Sequence, residues 1–204
     1  MLFRSCVARV VDAVKNGGMS DRTTILVVSD HGFKAVTHQI HADAALASAG
    51  LKEGVQVVPE GGTAMVYFDK THRDQLLPQV TQLMAKVVGV VRVTGKADFG
   101  ALHLPDPTKD ARAPDLVLVA KSGYSFSGGA TGPVNVTTPQ TTGSHGYLND
   151  DPELDAIFIA SGYGIRAGAS LDRVRNLDVA PTIASLLGLK FGAIEGRTIK
   201  EVLK

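Results

Sequence analysis

Residues 23–33 read Thr-Thr-Ile-Leu-Val-Val-Ser-Asp-His-Gly-Phe, and this stretch decides the fold. Thr24–Val28 is an aliphatic and β-branched run without polar alternation, which predicts a strand buried on both faces in a parallel sheet. Asp30 and His31 follow side by side where the strand ends, and open α/β sheets bind ligands at the carboxyl ends of their strands. Gly32 lets the backbone turn away sharply. A carboxylate and an imidazole together suit zinc or a similar divalent ion.

Other interpretations of the histidines need no metal. Asp30 could cap the following turn, with His31 as a partly buried polar residue, and for an isolated pair this is the commoner case. His145 stands between glycines in the segment 143–147, so its imidazole has an open approach, although a turn histidine fits equally well. His38 and His41 have helical spacing, but no carboxylate accompanies them at ligand spacing, and we interpret them as surface or cap residues.

The composition indicates an ordinary globular protein. The 204 residues are 44% hydrophobic and 20% charged, with a net charge of +1, so neither a nucleic-acid surface nor a membrane span is indicated. The single Cys6 excludes an internal disulfide. Arg9, Asp12 and Lys15 interrupt any apolar signal segment. The compartment stays open, and an extracytoplasmic one is compatible with a longer protein that carries its own export signal.

Strand-like and helical stretches alternate, which predicts an α/β fold with a mainly parallel central sheet flanked by helices, in a single domain over residues 1–204. The expected helices cover residues 2–17, 42–49, 71–87 and 178–187, with shorter ones at 97–104 and 199–203. The expected strands cover residues 24–28, 63–68, 90–93, 115–120 and 155–160.

Residues 121–143 are rich in Gly, Ser, Thr and Pro, which predicts a long irregular loop of the kind that is usually functional or mobile. Within it, Tyr124 and Phe126 are our candidates for a substrate-facing wall, and the alternative is a disordered surface loop. Asp178 is interpreted as the N-cap of the helix that follows it and not as a metal ligand.

Four segments together resemble the alkaline phosphatase superfamily, most closely its type I phosphodiesterase/nucleotide pyrophosphatase family. They are Ser29–Phe33, Gly143–Tyr147, Ala156–Gly162 and Asp178–Gly188, in the family's order and spread over nearly the whole chain. The resemblance implies an alkaline-phosphatase-like fold and hydrolysis of phosphate diesters or nucleotide pyrophosphates with two zinc ions, other divalent metals being an alternative.

The resemblance also implies a role for three residues. Asp30 and His31 would ligate the ion that activates the nucleophile, and His145 would ligate the other. Two ions about 4 Å apart can stabilise both the attacking and the leaving oxygens of an in-line displacement. These three side chains are therefore expected to fold toward a common pocket.

The chain departs from the family pattern in its first residues. The family's nucleophilic Thr or Ser, its first Asp ligand and a further Asp-His pair precede the Asp-His-Gly strand, and no matching residues occur before Asp30. We therefore expect the C-terminal portion of a catalytic domain, with no catalytic nucleophile and no competence as an enzyme alone. Missing strands would expose apolar surface around the strand that follows Thr23, so pairing with a missing N-terminal portion, or self-association, is expected.

Two further kinds of function remain open from the sequence. A sulfatase, a phosphonate hydrolase or a phosphomutase of the same superfamily would share these segments, and the nucleophile segment would separate them. A non-catalytic remnant that acts as an interaction module is the alternative from a different class. The expected partner is a phosphate ester or nucleotide substrate, without nucleic acid or a membrane span.

Overall fold

The computed structural model describes residues 2–204, and its backbone contacts divide the chain into two compact units. Unit 1 combines the residues up to His31 with Ala156–Lys204, and unit 2 is Gly32–Asp155. The single domain expected from the sequence stays a prediction. Within the described range, no helix has the length and apolarity that crossing a bilayer demands.

The helices and strands follow one another along both units. In chain order they are α1 (Leu2–Asn16), β1 (Thr24–Val28), β2 (Lys34–Ile40), α2 (Ala42–Ser48), β3 (Val55–Pro59), β4 (Thr63–Phe68), α3 (Arg73–Met84), β5 (Val90–Gly95), α4 (Lys96–Phe99), β6 (Leu116–Ala120), β7 (Tyr124–Phe126), β8 (Asn135–Ser144), β9 (Phe158–Gly162) and α5 (Val179–Leu186). Short 3₁₀ turns lie at Pro152–Leu154, Asn176–Asp178 and Lys200–Val202.

Unit 1 contains a two-stranded antiparallel sheet. Leu26 of β1 lies opposite Ala160 of β9, and the bounds expected for β1 are confirmed. The expected burial on both faces is wrong, because β1 is only half-buried and Val28 is 46% exposed. In the described part of the chain β9 is the one strand that pairs with β1, so its apolar run lacks the neighbours that would cover it.

Unit 2 holds the main hydrophobic core. A four-stranded antiparallel sheet has the order β3-β4-β6-β5, and a three-stranded sheet has the order β7-β2-β8. Every residue of β6 is buried, because its continuous apolar run needs cover on both faces. Leu76, Val80 and Met84 recur every four residues along α3 and are buried in the same core.

The α/β class is confirmed, but the sheets are not mainly parallel. Among the strand pairings of residues 2–204, only β2 with β7 is parallel, and the others are antiparallel. A continuous apolar run reports burial on both faces of a strand. It does not report the direction of the neighbouring strand, and this is why the expectation failed.

The long loop expected for residues 121–143 is also wrong, since this stretch contains β7 and most of β8. Strand β8 is an edge strand with mostly exposed residues and with Pro139 inside it. Edge strands tolerate proline and polar side chains because one side of the backbone meets no ladder partner. The Thr-rich sequence therefore lacked the apolar alternation that marks a half-buried strand.

Candidate functional site

The Asp30–His31 pair follows β1 after one intervening residue, Ser29, as the sequence indicated. The Asp30 side chain is 86% exposed, and its Oδ2 lies 3.5 Å from Nε2 of His31. The backbone N–H of His31 donates to the other carboxylate oxygen at 3.1 Å. Two ligand atoms of a tetrahedral zinc ion with bonds of about 2.0–2.2 Å are about 3.4 Å apart. The pair therefore fits two corners of one zinc site as it stands.

Hydrogen bonds from residues far along the chain fix the end of β1. The Asn176 side-chain amide donates to the Asp30 carbonyl at 2.9 Å. Ser29 exchanges two bonds with Ile157: its N–H donates to the Ile157 carbonyl, and its Oγ accepts from the Ile157 N–H. These contacts hold the backbone that carries the carboxylate. Sequence reasoning missed Asn176, which no local pattern links to a residue 146 positions away.

His145 lies just beyond β8 in unit 2 and is exposed. In the antiparallel ladder of β2 and β8, Lys34 lies opposite Ser144, so the next residue in each direction is Phe33 and His145. Their rings meet edge to face, with centroids 5.8 Å apart. Phe33 is the second residue after His31. The pairing of β2 with β8 thus brings Phe33 into contact with His145.

Lys34 anchors the start of β2 beside that ladder. It is only 6% exposed, and its Nζ lies 2.7 Å from Asp151 and 3.6 Å from Glu153. The same ammonium lies 5.1 Å from the centre of the Tyr147 ring. The hydrogen bond with Asp151 raises the pKa of Lys34 and lowers the pKa of Asp151, and burial raises the pKa of Tyr147 to about 12.

The Lys34–Asp151 pair predicts an acid-sensitive contribution to stability. Because the folded-state pKa of Asp151 is lowered, the contribution is complete above the unfolded value of about 3.9 and is lost as the pH falls through the folded value. We expect Asp151→Asn to lower the free energy of unfolding by about 2 kcal/mol at neutral pH and by much less in acid. Urea unfolding across this pH range measures the difference, and parallel curves for the two proteins would contradict the assignment.

The other aromatic residues and histidines singled out in the sequence lie in or beside the sheets of unit 2. Phe126 is 4% exposed and belongs to the hydrophobic core of unit 2, so it is not a substrate-facing wall. Tyr124 is half-buried, and its ring stacks on the His38 ring with centroids 4.5 Å apart. Its assignment to a substrate-facing wall stays a prediction. His38 lies on strand β2, which ends at residue 40, and not on a helix. His41 directly precedes α2, and its Nδ1 contacts the Pro133 carbonyl.

Asp178 precedes α5 but does not cap it with its side chain. The buried carboxylate instead accepts the backbone N–H of Arg197 at 2.9 Å and the guanidinium of Arg175 at 3.1 Å. The Arg197 hydrogen bond, with help from Arg175, holds the pKa of Asp178 below its usual value. Asp178 occupies the N-cap position of α5 as predicted, but its carboxylate does not cap that helix and instead ties the C-terminal segment of unit 1 together.

Within residues 2–204, no three or more His, Cys, Asp or Glu side chains are grouped so that they could hold a metal ion. Asp30 and His31 would supply two ligands, fewer than the three or four protein ligands of known zinc sites. The assignment of Asp30, His31 and His145 as metal ligands stays a prediction.

Known proteins resemble this chain in sequence and in fold. Alkaline phosphatase PafA of Elizabethkingia meningoseptica is 28% identical over an alignment of 155 residues, and the match covers 68% of this chain and 26% of that protein. Solved structures of murine and human ectonucleotide pyrophosphatase/phosphodiesterase 5 match with a TM-score of 0.75, at 19% and 18% identity. Each match covers 97% of this chain and 50% of the other.

The chain thus spans about half the length of these solved structures and about a quarter of PafA. The structural likeness confirms the alkaline-phosphatase-like fold. A family model described as type I phosphodiesterase / nucleotide pyrophosphatase matches residues 5–148, a range that includes Asp30, His31 and His145. The chain belongs to the type I phosphodiesterase/nucleotide pyrophosphatase family.

Proposed function

We propose that this chain is part of a metal-dependent hydrolase of phosphate diesters or nucleotide pyrophosphates. Asp30 and His31 bind one divalent ion, for which we propose zinc, and His145 binds another. The observation that carries the proposal is the 3.5 Å spacing of the carboxylate oxygen and the imidazole nitrogen at the carboxyl end of β1. Family membership and the packing of Phe33 on His145 support it.

The residues of this chain have distinct tasks in that reaction. Bound zinc would lower the pKa of an attacking hydroxyl and offset the charge of phosphoryl oxygens. Asp30 supplies a negative oxygen that favours a cation at the end of β1, and its exposure leaves room for a substrate. Asn176 keeps the Asp30 backbone in place. We assign no nucleophile within these 204 residues, so this chain alone is not a competent hydrolase.

The relatives support a substrate class for this proposal. An inactive variant of the murine neighbour was solved in complex with AMP, which contains a nucleoside and one phosphate. We therefore propose that a nucleotide unit is one half of the substrate. The name of PafA favours a second candidate, a phosphate monoesterase. The two candidates differ in whether the scissile phosphate carries a second ester group.

A substrate panel separates these functions. The longest gene product that contains these residues is assayed with bis(para-nitrophenyl) phosphate, para-nitrophenyl phosphate and para-nitrophenyl sulfate. We expect the diester to give the highest kcat/KM, with activity lost after dialysis against a chelator and restored by zinc. Faster monoester hydrolysis would establish the second candidate, and sulfate hydrolysis would establish a sulfatase. A protein that neither hydrolyses any substrate nor binds zinc would be a non-catalytic interaction module.

We also propose that further polypeptide covers unit 1, either an N-terminal portion of the same protein or a second copy. Most of the exposed large apolar side chains among the described residues lie in this unit; they include Phe3, Val28, Ile159, Leu177 and Leu187. A two-stranded sheet alone is only marginally stable. We expect the 204-residue chain to self-associate in light scattering, and a stable monomer that binds no apolar dye would contradict this.

A further inference from the structure

The segment that carries His145 is held by the turn between β3 and β4. The backbone N–H of Gly62 donates to the His145 carbonyl at 2.7 Å. The hydroxyl of Thr63 donates to the next carbonyl, that of Gly146, at 2.8 Å. Thr63 is 8% exposed, so water cannot easily replace its hydrogen bond. Two consecutive carbonyl groups of the histidine segment therefore have fixed donors from two adjacent residues, Gly62 in the turn and Thr63 at the start of β4.

The approach of the two segments is so close that glycine is required on both sides. A Cβ on Gly62 would lie 2.1 Å from the Tyr147 ring, and a Cβ on Gly61 would lie 2.3 Å from the His145 carbonyl oxygen. On the other side, a Cβ on Gly146 would lie 1.7 Å from the Glu60 carbonyl oxygen. All three distances are far below van der Waals contact. The histidine segment therefore packs directly against the backbone of the turn, with no room for a side chain between them.

Tyr147 fixes the far end of the same segment. Its ring lies on Gly62, the Lys34 ammonium approaches its face, and its hydroxyl donates to the Tyr124 carbonyl. These contacts hold the Tyr147 side chain, and with it the backbone that follows His145. The imidazole of His145 itself is at the exposed end, beside the Phe33 ring.

We propose that Thr63, together with Gly61 and Gly62, is a positioning device for His145. By fixing the His145 and Gly146 carbonyls, the turn presents the imidazole before a ligand arrives, so binding need not order the segment. Partners that orient a metal-binding histidine typically change metal affinity about 10- to 100-fold. The inference rests on the proposed function, in which His145 binds a divalent ion.

The chain offers a matched control for testing Thr63. Thr94 is also a buried threonine of the four-stranded sheet, and its hydroxyl also donates to a backbone carbonyl, that of Val117, at 3.0 Å. The variants are Thr63→Val, which removes the donor at nearly constant volume, Thr63→Ser, which restores it, and Thr94→Val. All are made in the longest gene product that contains these residues.

Hydrogen exchange tests the tether without any metal. We expect Thr63→Val to speed exchange of the Gly62 amide about tenfold relative to the Leu118 amide of β6, the size expected for one lost hydrogen bond. Thr63→Ser is expected to restore slow exchange, and Thr94→Val is expected to leave the ratio unchanged. Equal ratios in Thr63→Val and Thr94→Val would overturn the inference.

Zinc affinity, measured by competition with a chelator, tests the link to the site. We expect Thr63→Val to weaken zinc binding about tenfold while Thr94→Val leaves it unchanged. Faster exchange with unchanged zinc affinity in Thr63→Val would overturn the positioning role. If zinc leaves the imidazole signals of His145 in the wild-type protein unchanged, the proposed function fails, and the exchange result still reports on the tether.

Discussion

Asp30→Asn is expected to lower zinc affinity at least about a hundredfold, because even residues that only orient a ligand cost 10- to 100-fold. Asparagine keeps the volume and one oxygen but removes the negative charge that attracts the cation. In the longest gene product that contains these residues, the proposed diesterase activity should fall with zinc occupancy. Folding should be unaffected, since the Asp30 side chain is 86% exposed and Asn176 bonds to its backbone carbonyl. Calorimetric zinc titration and urea unfolding measure the two effects.

Asp69→Asn is the control for this prediction. Asp69 also lies beside an imidazole, with both of its carboxylate oxygens 2.9 Å from Nδ1 of His72. The hydrogen bond between these side chains lowers the pKa of Asp69 and raises the pKa of His72. We expect Asp69→Asn to leave zinc affinity unchanged. A loss equal to that of Asp30→Asn would show that zinc binds any Asp-His pair on this surface.

Gly146→Ala is expected to destabilise unit 2 by about 3 kcal/mol. The backbone φ of Gly146 is +75°, which costs about 1–2 kcal/mol for a residue with a Cβ. The new Cβ would also overlap the Glu60 carbonyl, and such overpacking typically adds about 1–3 kcal/mol. Urea unfolding followed by a probe in unit 2 measures the loss.

Two other glycines separate the causes of that loss. Gly132 has a φ of +89° but open space around it, so Gly132→Ala reports backbone strain alone, about 1–2 kcal/mol. Gly128 has open space and no positive φ, so Gly128→Ala should change stability little. If Gly146→Ala cost no more than Gly132→Ala, the close seating of the histidine segment would be wrong.

The elements that the sequence predicted best are those whose local pattern and tertiary surroundings agree. The bounds expected for β1 and β4 are confirmed, since both are short apolar runs ended by polar residues or turns. Helix α1 is confirmed to within one residue, because its apolar spacing and the Asn16-Gly17 end are local signals. Helix α3 forms although Pro78 lies inside it, because burial of its apolar face outweighs the cost of a proline in a helix.

The elements that the sequence missed depend on partners elsewhere in the chain. Strand β2 carries a mixed sequence with Lys34 at its start. That lysine can be buried because it pairs with Asp151, a residue far along the chain. Phe126 was expected to face a substrate because its surroundings are polar in sequence. Its side chain instead enters the core, as β7 pairs with β2 and places it opposite Ile40.

In the candidate site, too, some residues could be named from the sequence and others only from the structure. The family resemblance pointed to Asp30, His31 and His145, since the residue types alone also fitted a turn cap and turn histidines. The residues that hold them in place are Asn176, Gly62 and Thr63, and these act through backbone carbonyls. A carbonyl contact depends on where a residue lies and not on a distinctive side chain, so no motif announces it.

The central claim is that Asp30 and His31 together bind one zinc ion. Crystals grown with zinc and measured on both sides of the zinc absorption edge test it most directly. We expect an anomalous peak within about 2.2 Å of both an Asp30 carboxylate oxygen and an imidazole nitrogen of His31. Zinc bound only elsewhere, for example at Asp69 and His72, with none at the end of β1, would contradict the account.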